Sequence, residues 1–165
     1  AYLSPEMKST GEAIGYDKKL TRAMYKALQA SGITLTDHGT VLVTVADEDK
    51  AETLPLVKRF YKLGFNIVAT IATAEYLKER GIRTRVYGKI CEGNDEILRD
   101  IRSGKINYVI NTRAILSGLH YEDGYIIRRC AVENNATMFT SLDTVKMLLE
   151  VLEEMTIGIS TIDAK

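Results

Sequence analysis

A three-layer α/β/α domain with a mostly parallel sheet of about five strands is the fold class this sequence predicts. Three observations predict it. Short runs rich in Val and Ile alternate with longer amphipathic stretches, the spacing of strand–helix–strand units. The stretches of helical period close on glycine, at Gly32, Gly64, Gly81 and Gly104. The Val- and Ile-rich runs read as buried strands, which suits a sheet covered on both faces.

In chain order, "AYLSPEMKSTGEAIGYD" is polar, carries Pro5, Gly11 and Gly15, and reads as a linker or extended lead-in. A helix follows over Lys18 to Ser31, where Leu20, Met24 and Leu28 recur at helical spacing. "GTVLVTVA", Gly39 to Ala46, is the first strand. "DEDKAETLPLVKRFYKLG" is a helix whose leading acids suit the positive end of its dipole. "FNIVAT" is the second strand, "TAEYLKERG" the third helix and "IRTRVY" a short, more exposed strand. "NDEILRDIRSGK" is a compact helix with Asn94 as its cap. "INYVIN" is the next buried strand, and "YEDGYIIRRCAVENN" reads as a polar loop leading into a helix. "ATMFT" is a last short strand, Ser141 to Met155 an amphipathic helix with a core-facing stripe, and "TIGISTIDAK" a tail.

Composition narrows the function classes. The 165 residues make one ordinary domain, and 45% hydrophobic content supplies a core. Lys plus Arg (22) equals Asp plus Glu (22), so net charge offers no argument for a nucleic-acid footprint. The two cysteines, Cys91 and Cys130, form neither a disulfide framework nor a metal-binding spacing, and free thiols suit a reducing compartment. No apolar run approaches the roughly 18 residues of a membrane helix, and no secretory h-region opens the chain. A cytoplasmic location without membrane contact is the expectation. The start on Ala1 points to processing or to a piece of something longer.

Right-handed crossovers put the strand-end loops on one side, and ligands of such sheets sit beyond the carboxyl ends of the strands. Four segments fall there: Asp47 to Lys50, Thr70 to Thr73, Gly88 to Gly93, and Asn111 to Arg113. Thr70 and Thr73 flank the start of the third helix, whose amides and hydroxyls can hold a phosphate; equally, Thr73 can be only the helix cap. Lys50 can reach the same pocket or be a solvated surface lysine. Lys89, between glycines in "YGKICEGND", can approach an anion or be an ordinary charged loop residue. Asn111 can hydrogen-bond a base or sugar, and Arg113 can clamp a phosphate or pair with a surface acid. Catalysis has little support. His38 and His120 lie in loops outside any triad or metal arrangement, no nucleophile elbow surrounds a serine, and capping explains Asp47 and Asp49 as well as acid–base work does.

Several motifs together resemble one family. "PEMKSTGEAIG" is similar to the connector after the second ATP-grasp half of the carbamoyl-phosphate synthetase large subunit. "GTVLVTVADEDK", "GFNIVATIATAEYLKERGI", "VYGKICEGNDEILRDIRSGKINYVINT" and "DGYIIRRCAVENN" resemble, in order and spacing, that enzyme's C-terminal methylglyoxal-synthase-like regulatory domain. The resemblance spans nearly the whole chain. It implies a Rossmann-like domain over residues 17–157, a connector over 1–16 and a tail over 158–165. It implies an allosteric site for a phosphorylated nucleotide, UMP or IMP, or a related effector, made by Lys50, Thr70, Thr73, Lys89 and Asn111, with Arg113 adjoining. It further implies partners in the rest of the synthetase large chain and its glutaminase small subunit. No cofactor is implied in this segment; ATP with Mg2+ or Mn2+ serves the parent ligase. Two positions depart from the family pattern. Ala72 replaces the glycine of the "TxGT" turn, where a methyl can alter backbone angles, and Arg113 replaces a small hydroxyl residue. The "GTTG" turn, loop aspartate and "DPL" of methylglyoxal synthase proper have no counterpart in "ATAE", "CEGND" and "NTR", which argues against that lyase activity. A structural domain with a degenerate effector site is the remaining alternative.

Overall fold

The computed structural model describes residues 13–33, 35–88, 95–112 and 118–163. Among them the chain runs α1 (Ala13–Ala30), β1 (Thr40–Thr44), a 3-10 turn (Asp47–Asp49), α2 (Lys50–Lys62), β2 (Asn66–Thr70) and α3 (Ile71–Glu79). It continues with β3 (Thr84–Tyr87), α4 (Glu96–Arg102), β4 (Tyr108–Asn111), α5 (Gly118–Glu133), β5 (Thr137–Phe139) and α6 (Leu142–Asp163). The five strands form one sheet in the order β3-β2-β1-β4-β5, and every pairing is parallel. The predicted α/β/α layering therefore holds.

Alternation along each strand sends side chains to two cores. Val41, Val43, Ile67, Ala69, Tyr108 and Ile110 pack under α1, α2, α3 and α6. Leu42, Val68, Tyr87 and Val109 pack under α4 and α5. Because both sets are apolar, the strands read as continuous Val/Ile runs. Chain direction explains the helix distribution. From β1 to β3 the strands are added on one side, and right-handed crossovers carry α2 and α3 over the first face. The return to β4 and β5 reverses that direction and carries α4 and α5 over the second. The reversal leaves a crevice between the carboxyl ends of β1 and β4.

Glycine punctuation behaves as expected. At the end of α3, Gly81 takes φ 86°, its N–H bonds the Lys78 carbonyl, and the Ile82 N–H bonds that of Leu77 at 3.0 Å. With Ile82 and Leu77 both buried, this is a Schellman stop with its hydrophobic contact. Gly39 has a different task. It takes φ 127°, and a Cβ there would lie 1.9 Å from Asn107 Oδ1. That oxygen accepts the Thr40 N–H at 2.9 Å, fixing the amino ends of β1 and β4 to one another. Gly39→Ala must strain the backbone and displace Asn107. Urea titration is expected to show a loss of roughly 1–3 kcal/mol.

Several boundaries differ from the sequence expectation, β1 among them, which ends at Thr44 and not at Ala46. α1 begins at Ala13, inside the stretch read as a lead-in. α3 begins at Ile71, directly after β2. β2 ends at Thr70, as the sequence reading has it, and Ile71 and Ala72, left between strand and helix there, form the first turn of α3. The segment read as a polar loop before α5 is helix from Gly118, held by Ile127, Cys130 and Ala131 in the second core. Tertiary burial here overrides the weak local propensity of its Asp and Gly. Finally, α6 continues past Met155 to Asp163. It packs on α1 and α2, where Arg59 donates from Nε and Nη2 to the Glu153 carboxylate at 2.9 and 2.6 Å.

Candidate functional site

The carboxyl edge of the sheet carries a row of polar residues. Thr44 pairs with Asn111 across β1 and β4, and Thr70 pairs with Tyr87 across β2 and β3. Strand alternation puts all four on the face of Leu42, Val68 and Val109. Asn111 is only 4% exposed. Next to it, Thr112 Oγ1 accepts the Ala46 N–H at 3.0 Å, which closes the floor of the crevice between the β1 and β4 loops. Thr44 Oγ1 is buried and has no hydrogen-bond partner among the described residues. Buried hydroxyls are nearly always satisfied, so this one calls for an explanation.

α3 starts at this same edge. Its cap position is Thr70, extended at φ −73° and ψ 164°, and Thr70 makes no side-chain cap bond. Thr73 is therefore not the cap. It lies in the first turn and is 3% exposed. The leading amides of α3 lack an acceptor from their own cap, which leaves a cluster of donors at the positive end of the helix dipole. Ala72 is an exposed helical residue, and Asn135 is the sole non-glycine residue with positive φ among those described. The turn thus needs no glycine at 72, and the alanine methyl brings no backbone strain.

Lys50 is not the solvated surface lysine that its spacing allowed. Its side chain is 13% exposed, and Nζ lies 2.7 Å from the Asp47 carboxylate, itself 90% exposed. The ammonium also sits 6.0 Å from the centre of the Tyr76 ring on α3, at the outer reach of a cation–π contact. The 3-10 turn and the first turn of α2 hold it there, with the Thr53 hydroxyl donating to the Asp49 carbonyl at 2.7 Å. Chemically, the edge combines a half-buried cation, uncapped helix amides and hydroxyls. That set suits an oxyanion.

Of the residues singled out from the sequence, Lys50, Thr70, Thr73 and Asn111 come to this edge. Lys89 and Arg113 lie outside the described residues, as do Cys91 and the Asn94 cap; α4 has Asp95 at its cap position. Sequence reasoning missed Thr44, Thr112 as a bridge, and Tyr76. Thr44 was hidden because the strand was read through to Ala46; in the structure it closes β1 as Thr70 and Asn111 close their strands.

The MGS-like domain family matches residues 52–140. The chain belongs to that family. The matched span includes Thr70, Thr73 and Asn111, while Lys50 and Thr44 precede it. Among solved structures, this MGS-like chain is similar to methylglyoxal synthase from Elizabethkingia anophelis NUHP1, at 21% identity and TM-score 0.59, covering 70% of this chain and 79% of that one. It is also similar to ForH, at 17% identity and TM-score 0.57, covering 71% and 80%. At such identities the likeness is one of fold. No helix among the described residues is long and apolar enough to cross a membrane.

Proposed function

We propose that this MGS-like domain is an allosteric effector-binding module of a carbamoyl-phosphate synthase large chain. It takes a phosphorylated nucleotide of the UMP or IMP kind at the carboxyl edge of its sheet. In this reading the segment itself catalyses nothing. The ATP-dependent ligase chemistry, with its Mg2+ or Mn2+, belongs to the rest of the large chain and its glutaminase partner. The effector favours one of two enzyme states, and the rate of carbamoyl phosphate formation for pyrimidine and arginine synthesis follows that population. The resemblance of the connector and the four ordered motifs supports the parent enzyme. The observation that carries the site is the partnerless buried hydroxyl of Thr44, in one row with Thr70 and Asn111.

Thr44→Val tests that observation directly. Replacing an unsatisfied buried hydroxyl by an isosteric methyl is neutral or stabilising for the free protein. The expected result is an unchanged or higher melting temperature, together with a UMP affinity reduced by about fivefold or more. A lower melting temperature with unaltered affinity would make Thr44 purely structural.

Calorimetric titration with UMP, IMP and inorganic phosphate tests the reading as a whole. Saturable nucleotide binding that is lost in Lys89→Ala is the expected outcome. Turnover of dihydroxyacetone phosphate by the chain would instead favour a lyase of the methylglyoxal type.

A further inference from the structure

The second face of the sheet is incompletely covered at its amino end. α4 is a seven-residue helix whose buried Ile97 and Ile101 reach the middle of that face. Beyond them a cavity of about 500 Å³ opens at the starts of β1, β2 and β3. Thr40, Asn66 and Arg85 line it from the strands, Asp100 from α4, and Arg83 and Lys105 from the flanking loops. Tyr87, which closes β3, also lines it, but Thr40, Asn66, Arg83 and Lys105 lie toward the opposite end of the strands from the effector edge, so the cavity does not rest on that reading.

The charges around this cavity are not balanced. Arg85 pairs with Glu96 at 2.8 Å, and Asp100 accepts the Tyr87 hydroxyl. Burial, with the neighbouring Asp100 second, pushes the Tyr87 phenol far above its ordinary range, so that hydroxyl remains a donor. Arg83 and Lys105 have no ion pair among the described residues. The side chains of Thr40 and Asn66 likewise make no hydrogen bond among them. Arg83 and Lys105 therefore stand without an ion partner, and with Arg85 offset by Glu96 and the Asp100 carboxylate counted, the lining keeps a net positive charge over a polar floor with spare donors. Val68 and Ile106 add an apolar patch. The volume falls within the roughly 300–1,000 Å³ of small-molecule sites, more than a bare ion needs.

We infer that this cavity is a second ligand site for a small oxyanion-bearing molecule. Arg83 and Lys105 hold its phosphate or carboxylate, and Thr40 and Asn66 bond its polar body. Arginine and lysine so placed recognise either oxyanion, by fork geometry and by point charge respectively.

Amide NMR titration of the chain with inorganic phosphate and, separately, with succinate distinguishes the two. Saturable shifts at Arg83, Thr84, Lys105 and Ile106 are expected with at least one probe; the probe that responds identifies the oxyanion. In R83Q/K105Q the apparent affinity at those amides is expected to fall at least tenfold, with the phosphate response of Ile71 and Ala72 on α3 unchanged. Lys78→Gln, which removes an exposed charge elsewhere, is expected to leave the cavity response intact. No saturable shift at the four amides with either probe overturns the proposal, as does an equal loss in Lys78→Gln. Should R83Q/K105Q fail to give a dispersed spectrum, Asn66→Ala replaces it: a weakened response there supports the site, and a retained one overturns it.

Discussion

Lys50→Met is expected to weaken the binding of UMP or inorganic phosphate by roughly ten- to a hundredfold, the 1.5–3 kcal/mol of a hydrogen bond to a charged group. Methionine is the informative replacement because it keeps an unbranched apolar stem. The Lys50 side chain is largely buried beside Tyr76, so truncation to alanine would also remove packing. The stability of Lys50→Met is expected to stay within about 1 kcal/mol of the parent, because the ion partner being lost, Asp47, is almost fully solvated and such pairs contribute little. Calorimetry for affinity and urea denaturation for stability separate the two effects. Raised salt should weaken phosphate binding in the parent more than in the variant, since screening acts on the charge the variant lacks. If Lys50→Met binds as tightly as the parent, the uncapped amides of α3 suffice and Lys50 is no part of the site.

The strands and helix ends were legible in the sequence because they depend on local chemistry. Val41, Leu42 and Val43 are consecutive and all buried, which only a sheet covered on both faces allows. Gly81 stops α3 because its φ of 86° suits glycine and few other residues. The end of β2 at Thr70 was legible too, but α3 was started two residues late because Thr73 has the look of a helix cap, a position that Thr70 occupies instead. The family motif brought Lys50, Thr70, Thr73 and Asn111 to one edge, and the structure gathers them there. What stayed hidden depends on contacts between distant segments. Spacing alone left Lys50 open between pocket and solvent, because Tyr76, the ring its ammonium approaches, belongs to another helix. Thr44 looked like an interior residue of a strand running to Ala46; its place at the end of β1 and its burial make the hydroxyl conspicuous. The amino-end cavity has no motif at all, since it arises from how far the short α4 fails to reach.

Phe60→Ala is expected to cost roughly 3–5 kcal/mol, the range for deleting a large buried aromatic. Phe60 is fully buried on α2 and meets Phe65 edge-on, with ring centres 5.2 Å apart and planes at 79°. Tyr108 lies 6.2 Å from Phe60 and 5.9 Å from Phe65, and Phe139 lies 5.9 Å beyond it. One aromatic cluster thus ties α2 to β4 and β5, with each pair adding about 0.5–1.5 kcal/mol beyond simple burial. Against a net stability on the order of 5–15 kcal/mol this is a large fraction, and the melting temperature should drop by roughly 6–20 °C. Phe60→Leu, which refills most of the volume, should cost less than half as much, so the pair of variants separates cavity formation from loss of hydrophobicity. The same helix carries Lys50 near its other end, about 15 Å away at 1.5 Å per residue. Sites that far apart are expected to act additively. Phosphate affinity in the folded Phe60→Leu protein should therefore match the parent. A coupled loss would mean that α2 moves as a rigid lever between the aromatic cluster and the effector edge.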